Sequence, residues 1–159
     1  MKNILQKIFP KNINNDYKGY KIAVYIFMLY SLVSIVRSCI HFFSADAGVG
    51  TIAHFDLSQG GQSIVFFAAL WGSSQLILAF IQILVVFRYR TLLPFMYILL
   101  FLEYCFRAIA GIMRAPVFVV GAVKPPGAYL NIIMIPLTII MLILTLIELK
   151  TSTGKKLQS

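Results

Sequence analysis

TLLPFMYILLFLEYCFRAIAGI, residues 91 to 112, is the stretch on which the fold turns. At about 1.5 Å of rise per helical residue it is long enough to cross a hydrocarbon core of about 30 Å. It is apolar except for Glu103 and Arg107 near its middle and end. A carboxylate and a guanidinium are costly in hydrocarbon unless they pair, so ionisable residues inside such a segment mark a functional site by default. Four residues apart, these two share a helical face and can pair with each other.

Outward from this stretch, three more apolar runs have spanning length: 20–43, 64–87 and 129–149. The chain has 159 residues, of which 60% are hydrophobic and 12% charged, with a mean hydropathy of +0.87. That leaves too little polar surface for a soluble domain of this size. The predicted fold is all-α: a four-transmembrane-helix bundle over residues 20–149, flanked by an interfacial segment, 1–19, and a basic tail, 150–159. The first run exceeds a signal-peptide core and precedes no small-residue cleavage site, so it is expected to remain in the mature protein.

Lysine and arginine placement sets the expected orientation. Lys2, Lys7, Lys11, Lys18 and Lys21 precede or open span one, Arg88 and Arg90 lie between spans two and three, and Lys150, Lys155 and Lys156 follow span four. The alternate loops hold only Arg114 and Lys124, which places both termini in the cytoplasm. The formal charge of +9 is accounted for by these flanks, with no nucleic-acid-binding fold behind it, so nucleic acid is not an expected partner. Before span one, Ile4, Leu5, Ile8 and Phe9 fall on one face and Pro10 ends the segment, the pattern of a short helix lying in the membrane interface.

Each span carries a polar seam. Tyr30, Ser34, Arg37 and His41 share a face of span one at three- and four-residue spacing, as do Met96, Leu100, Glu103 and Arg107 on span three. Span two has Ala68, Trp71, Gln75 and Gln82, and span four has Asn131, Thr138 and Thr145. Small and polar side chains often serve only to join membrane helices. The charges ask for more. Spans one and three run in the same direction, which puts Arg37, His41, Glu103 and Arg107 at similar depth in the outer half, level with Trp71 and Gln75. One carboxylate facing two guanidiniums leaves a positive cluster that suits a carboxylate or phosphate. The candidate ligand-binding residues are therefore Arg37, His41, Trp71, Gln75, Glu103 and Arg107, in a pocket opening outward beneath the loop from Ser44 to Ser63. Within that set, His41 and Glu103 are the candidate proton-transfer groups.

Other chemistry has less support. His41, His54, Asp46 and Asp56 match no metal-ligand spacing, so no metal is expected. Ser38, Ser73 and Ser74 lack a nucleophile-elbow context. Cys39 and Cys105 form no CxxC motif and lie away from the charged faces, the pattern of buried, inert thiols. Pro136 should kink span four, and Val117 to Val120, too short to span, is expected to dip into the interface. The two halves show no inverted repeat of the kind that points to a secondary transporter.

RSCIH, Arg37 to His41; ALWGSSQ, Ala69 to Gln75; RYRTLLPFMY, Arg88 to Tyr97; and EYCFRAIAG, Glu103 to Gly111, carry a resemblance. Over about residues 30–115 the chain resembles the small bacterial four-span membrane proteins of the DoxX-like type. That resemblance implies a multi-pass protein of the bacterial inner membrane and a link to quinone-coupled oxidation, by architecture alone.

Three functions stay open at this point. One is a binding or accessory subunit that holds an anionic, quinone-like or lipid-like ligand. Another is a membrane enzyme acting on a lipid-soluble substrate through His41 or Glu103. The third is a structural partner, in a homo-oligomer or a larger membrane complex, with the charges as glue. The bilayer itself is the one partner common to all three.

Overall fold

A computed structural model describes residues 4–123 and 125–148. Lys2, Lys124, Leu149, Lys150, Lys155 and Lys156 lie outside the described residues, as does the basic tail. Five α-helices follow one another: α1 (Ile4–Ile8), α2 (Lys21–Phe43), α3 (Gly61–Arg88), α4 (Leu93–Met113) and α5 (Pro126–Leu146), with a single 3-10 turn, Arg90–Leu92, leading into α4. Helices α2 to α5 are each long and apolar enough to cross a membrane. The end of the bundle carrying Ile4 and Glu148 is called here the terminal end, and the opposite one, carrying residues 44–60, the loop end.

The helix limits follow from local chemistry. Gly60 adopts a left-handed conformation (φ 69°) just before α3, a turn that glycine makes at no steric cost. Proline lies in the first turn of α4 and of α5, where its missing N–H would have had no partner. This moves the start of α5 to Pro126, ahead of the 129 read from hydropathy. At the other end Ile147 is already extended and Glu148 pairs with Lys7 at 3.2 Å, so the helix stops short of 149. At the end of α3, Arg90 Nε donates to the Val86 carbonyl at 2.7 Å, satisfying an acceptor that the last turn leaves open. Pro136 sits inside α5.

Two antiparallel hairpins make up the bundle, α2 packing along α3 and α4 along α5. They join around a core in the terminal half, where Ala23, Val24 and Phe27 of α2 meet Val85 and Val86 of α3, Leu93, Met96, Tyr97 and Leu100 of α4, and Met141 of α5. Tyr97 is almost wholly buried and its hydroxyl donates to the Ala23 carbonyl at 2.7 Å. Phe27 lies edge-on to Tyr97 at 5.2 Å, and Tyr30 to Tyr104 at 6.3 Å. Edge-to-face aromatic rings thus fill the space between α2 and α4.

Along α2, Ser31, Ser34 and Ser38 are buried at the spacing of one helical face, and α3 offers Gly72, Ala79 and Gln82 as its buried small or polar positions. Small residues let two membrane helices approach closely. The contact is tightest at Gly72, where a Cβ would lie 2.7 Å from His41 Cβ and 3.0 Å from the His41 carbonyl carbon. Thr138 and Thr145 of α5 are buried too, but each hydroxyl donates to the carbonyl three residues earlier on its own helix. These two hydroxyls therefore satisfy themselves within the helix rather than reaching a neighbour.

Candidate functional site

The polar cluster lies at the loop end, above the Tyr30–Tyr104 pair. Trp71 of α3 is its centre. The Arg37 guanidinium carbon is 5.3 Å from the Trp71 ring centroid, that of Arg107 is 5.0 Å away, and the His41 ring is centred 4.9 Å away. An indole is the best aromatic partner for a guanidinium, and here one ring serves two. Arg107 also lies 5.4 Å from the Tyr104 ring and forms an ion pair with Glu103, one turn earlier on α4.

The expectation that both guanidiniums point at Glu103 is corrected by this geometry. Arg37 Nη2 donates instead to Gln75 Oε1 at 3.3 Å, and among the described residues the ion pair of Glu103 is with Arg107 alone. The cause is separation: α2 and α4 are spaced by the tyrosine layer below, and Trp71 occupies the gap between them. Gln75, one turn from Trp71 on the same helix, is the acceptor that Arg37 reaches. Arg37 Nε, the Tyr30 hydroxyl and Ser38 Oγ are buried with no hydrogen-bond partner, so one guanidinium N–H and two hydroxyls beside the cluster remain unsatisfied.

His41 is held by the loop that follows α2. Its Nδ1 lies 2.7 Å from the Ala47 carbonyl; a carbonyl only accepts, so Nδ1 carries the proton. In the neutral ring this leaves Nε2 as an acceptor. The loop is shaped for that contact: Ala47 is left-handed (φ 50°) and Gly48 follows at φ 67°. Asp46 stabilises the turn, with Oδ1 accepting from the Gly48 N–H at 2.8 Å and Oδ2 from the Thr51 N–H at 2.7 Å. These two amides hold its carboxyl down at about 2. Asp46 thus acts on the loop backbone, and through Ala47 it orients His41.

The rest of the loop turns away from the cluster. Phe55 pairs with Phe118 in an isolated antiparallel bridge, Val119 N–H donates to the His54 carbonyl at 3.0 Å, and Asp56 N–H to that of Val117 at 3.0 Å. The run from Val117 to Val120, expected to dip into the interface, is therefore tied to the first loop by main-chain hydrogen bonds. His54 and Asp56 belong to this bridge, apart from His41. Among the described residues no three His, Cys, Asp or Glu side chains come together. Cys39 and Cys105 are free and half-buried rather than buried.

Cavities of about 430 and 350 Å3 both lie at the terminal end, lined by the N-terminal segment and the α3–α4 joint. The cluster is instead a ledge: Trp71 is 38% exposed, and the Arg107 and Glu103 side chains are 24% and 22% exposed. Tyr104, Gly72 and Ala47 take part in it without having been singled out from the sequence. Tyr104 had a readable signal, since it stands three residues before Arg107 on a helical face; the role of Ala47 depends on loop geometry and had none. No family model, curated protein or solved structure matches the chain.

Proposed function

We propose that this four-span membrane protein is a binding or accessory subunit. Its loop-end ledge holds the acidic head of a lipid-soluble ligand, and the loop end faces outward in accord with the positive-inside rule. One observation carries the reading: two guanidiniums share the Trp71 ring while only one carboxylate, Glu103, offsets them. The surplus positive charge lies on Arg37, whose Nη2 meets only the neutral Gln75 amide oxygen at 3.3 Å, and it awaits an anionic acceptor. A carboxylate or phosphate provides several lone pairs at once and fits guanidinium bidentately. The exposed face of Trp71 and the exposed apolar side chains Phe67 and Leu70 on the same helix suit the apolar part of the same molecule. A neutral quinone head would use the donors but leave the charge unbalanced, which favours an acid.

Glu103 is committed to Arg107, so of the two candidate proton-transfer groups His41, with a free Nε2, fits an enzymatic role better. No reacting partner for it stands within the cluster, and the binding role is preferred.

The test uses the chain's single tryptophan. Trp71 emission in detergent is titrated with dibromostearate, an acid whose bromines quench indole at close range, and with its neutral methyl ester. The acid should quench at lower concentration than the ester, and Arg37→Ala should remove the difference. Equal quenching by acid and ester in the wild-type protein would refute the proposal.

A further inference from the structure

The terminal end carries a site independent of the ledge. Helix α1 and the segment that joins it to α2 cross this end as a strap fastened at four points. Lys7 Nζ donates to the Leu146 carbonyl at 2.8 Å and pairs with Glu148, and the Phe9 ring packs on Phe95 at 5.6 Å. The Thr91 hydroxyl donates to the Asn14 carbonyl at 2.9 Å, and Tyr20 N–H donates to that of Leu144 at 3.2 Å. Beneath the strap is the cavity of about 430 Å3.

We propose that this cavity receives the phosphate headgroup of an anionic phospholipid of the surrounding bilayer. Lys7, Lys11 and Lys18 line it against Asp16 and Glu148, which leaves one unit of positive charge. Lys7 is used in fastening the strap, so it shapes the cavity rather than binding. Lys18 approaches Asp16 only at 3.6 Å, with both side chains more than half exposed, a pairing of little strength in water. Lys11 has no ion-pair partner among the described residues. Two ammonium groups are thus available, with the Asn12 and Asn14 side chains on the same wall, and a phosphate supplies the acceptors they need.

The apolar side of the strap decides between a lipid and a soluble phosphate. Ile4, Leu5, Phe9 and Ile13 are each more than half exposed, a cost in water and a gain against acyl chains. A molecule with an acidic head and a hydrocarbon tail satisfies both surfaces at once; a soluble phosphate ester satisfies only the cavity. Lysines near an anionic leaflet each strengthen attachment by about fivefold.

Native mass spectrometry of the full chain released from detergent, with added phosphatidylglycerol, phosphatidylcholine or glycerol phosphate, tests the assignment. Phosphatidylglycerol should be retained over phosphatidylcholine. Lys11→Ala should weaken its retention about fivefold and the Lys11→Ala, Lys18→Ala pair roughly twenty-fivefold. Lys21→Ala, which alters an exposed lysine at the same end outside the cavity, should leave retention unchanged. Equal retention of the two lipids would overturn the proposal, as would an equal loss in Lys21→Ala. Binding of glycerol phosphate as strong as that of phosphatidylglycerol would overturn the lipid assignment.

Discussion

Gly72→Ala tests whether the close approach of α2 and α3 is what builds the ledge. An added Cβ meets His41 Cβ at 2.7 Å, the His41 carbonyl carbon at 3.0 Å and Phe42 N at 3.1 Å. Carbon atoms rest at about 3.5–4.0 Å, so one of these contacts is short by about 1 Å. Two of the three atoms are α2 backbone, which cannot rotate aside, so the helices must part. Overpacking of this kind costs about 1–3 kcal/mol. Alanine also favours a helix over glycine by up to about 1 kcal/mol, a gain that Gly111→Ala isolates, because a Cβ at Gly111 meets nothing within 4 Å. The two variants should differ by about the packing cost, with Gly72→Ala the less stable, in reversible unfolding by dodecyl sulfate in mixed micelles. Separating α2 from α3 also moves Trp71 and Gln75 away from His41 and Arg37, so the Trp71 emission maximum should shift in Gly72→Ala and stay fixed in Gly111→Ala. Equal stability of the two variants with unchanged emission would refute the close-packing account.

Other perturbations address the core, the loop and the strap. Tyr97→Phe removes the bond to the Ala23 carbonyl while keeping the ring, and should cost about 1 kcal/mol in the same unfolding assay. Asp46 has a carboxyl depressed to about 2 by the Gly48 and Thr51 amides. Its contribution is therefore complete above the ordinary carboxylate range and is lost as pH falls through about 4 toward 2. Amide exchange at Gly48 and Thr51 should accelerate over that window, and Asp46→Asn should abolish the dependence. Lys7→Met removes the bonds to Leu146 and Glu148 and should speed proteolysis within residues 9–19 while leaving Trp71 emission unchanged.

The four spans were legible because hydropathy over a spanning length depends on composition alone, and no tertiary detail alters it. The face of each helix was legible for the same reason: Arg37, Trp71, Gln75, Glu103 and Arg107 do converge at one level, since 3.6-residue spacing and antiparallel order fix their heights. Pairing within that level was not. Whether Arg37 meets Glu103 or Gln75 depends on the distance between α2 and α4, which is set by the rings of Phe27, Tyr30, Tyr97 and Tyr104 between them. Periodicity places such side chains on a face but says nothing of how thick a layer they make. The cavity at the terminal end was hidden for a related reason. Its walls come from residues far apart in the chain, such as Asn14 with Thr91 and Lys7 with Glu148, joined by hydrogen bonds and an ion pair without a motif.

The division between the two halves of the bundle explains the form of the site. In the terminal half, apolar side chains and the Tyr97 hydroxyl close the gap between hairpins, and each of α2 to α5 contributes to one core. Toward the loop end the filler becomes Trp71, which presents a face to each guanidinium in place of a carboxylate. Were α2 and α4 in direct contact, Arg37 and Arg107 would share Glu103 and the charges would nearly cancel within a closed network. Held apart, they cannot: Glu103 neutralises Arg107, and Arg37 is left with a neutral amide at 3.3 Å. Trp71→Leu should then weaken both arginines at once. Each cation–π contact is worth about 0.5–2 kcal/mol, so the loss in unfolding free energy should exceed that of Gln75→Leu, which removes one hydrogen bond of about 1 kcal/mol. If Trp71→Leu proves no more costly than Gln75→Leu, the indole is not what holds the two guanidiniums, and the ledge must be organised by the ion pair alone.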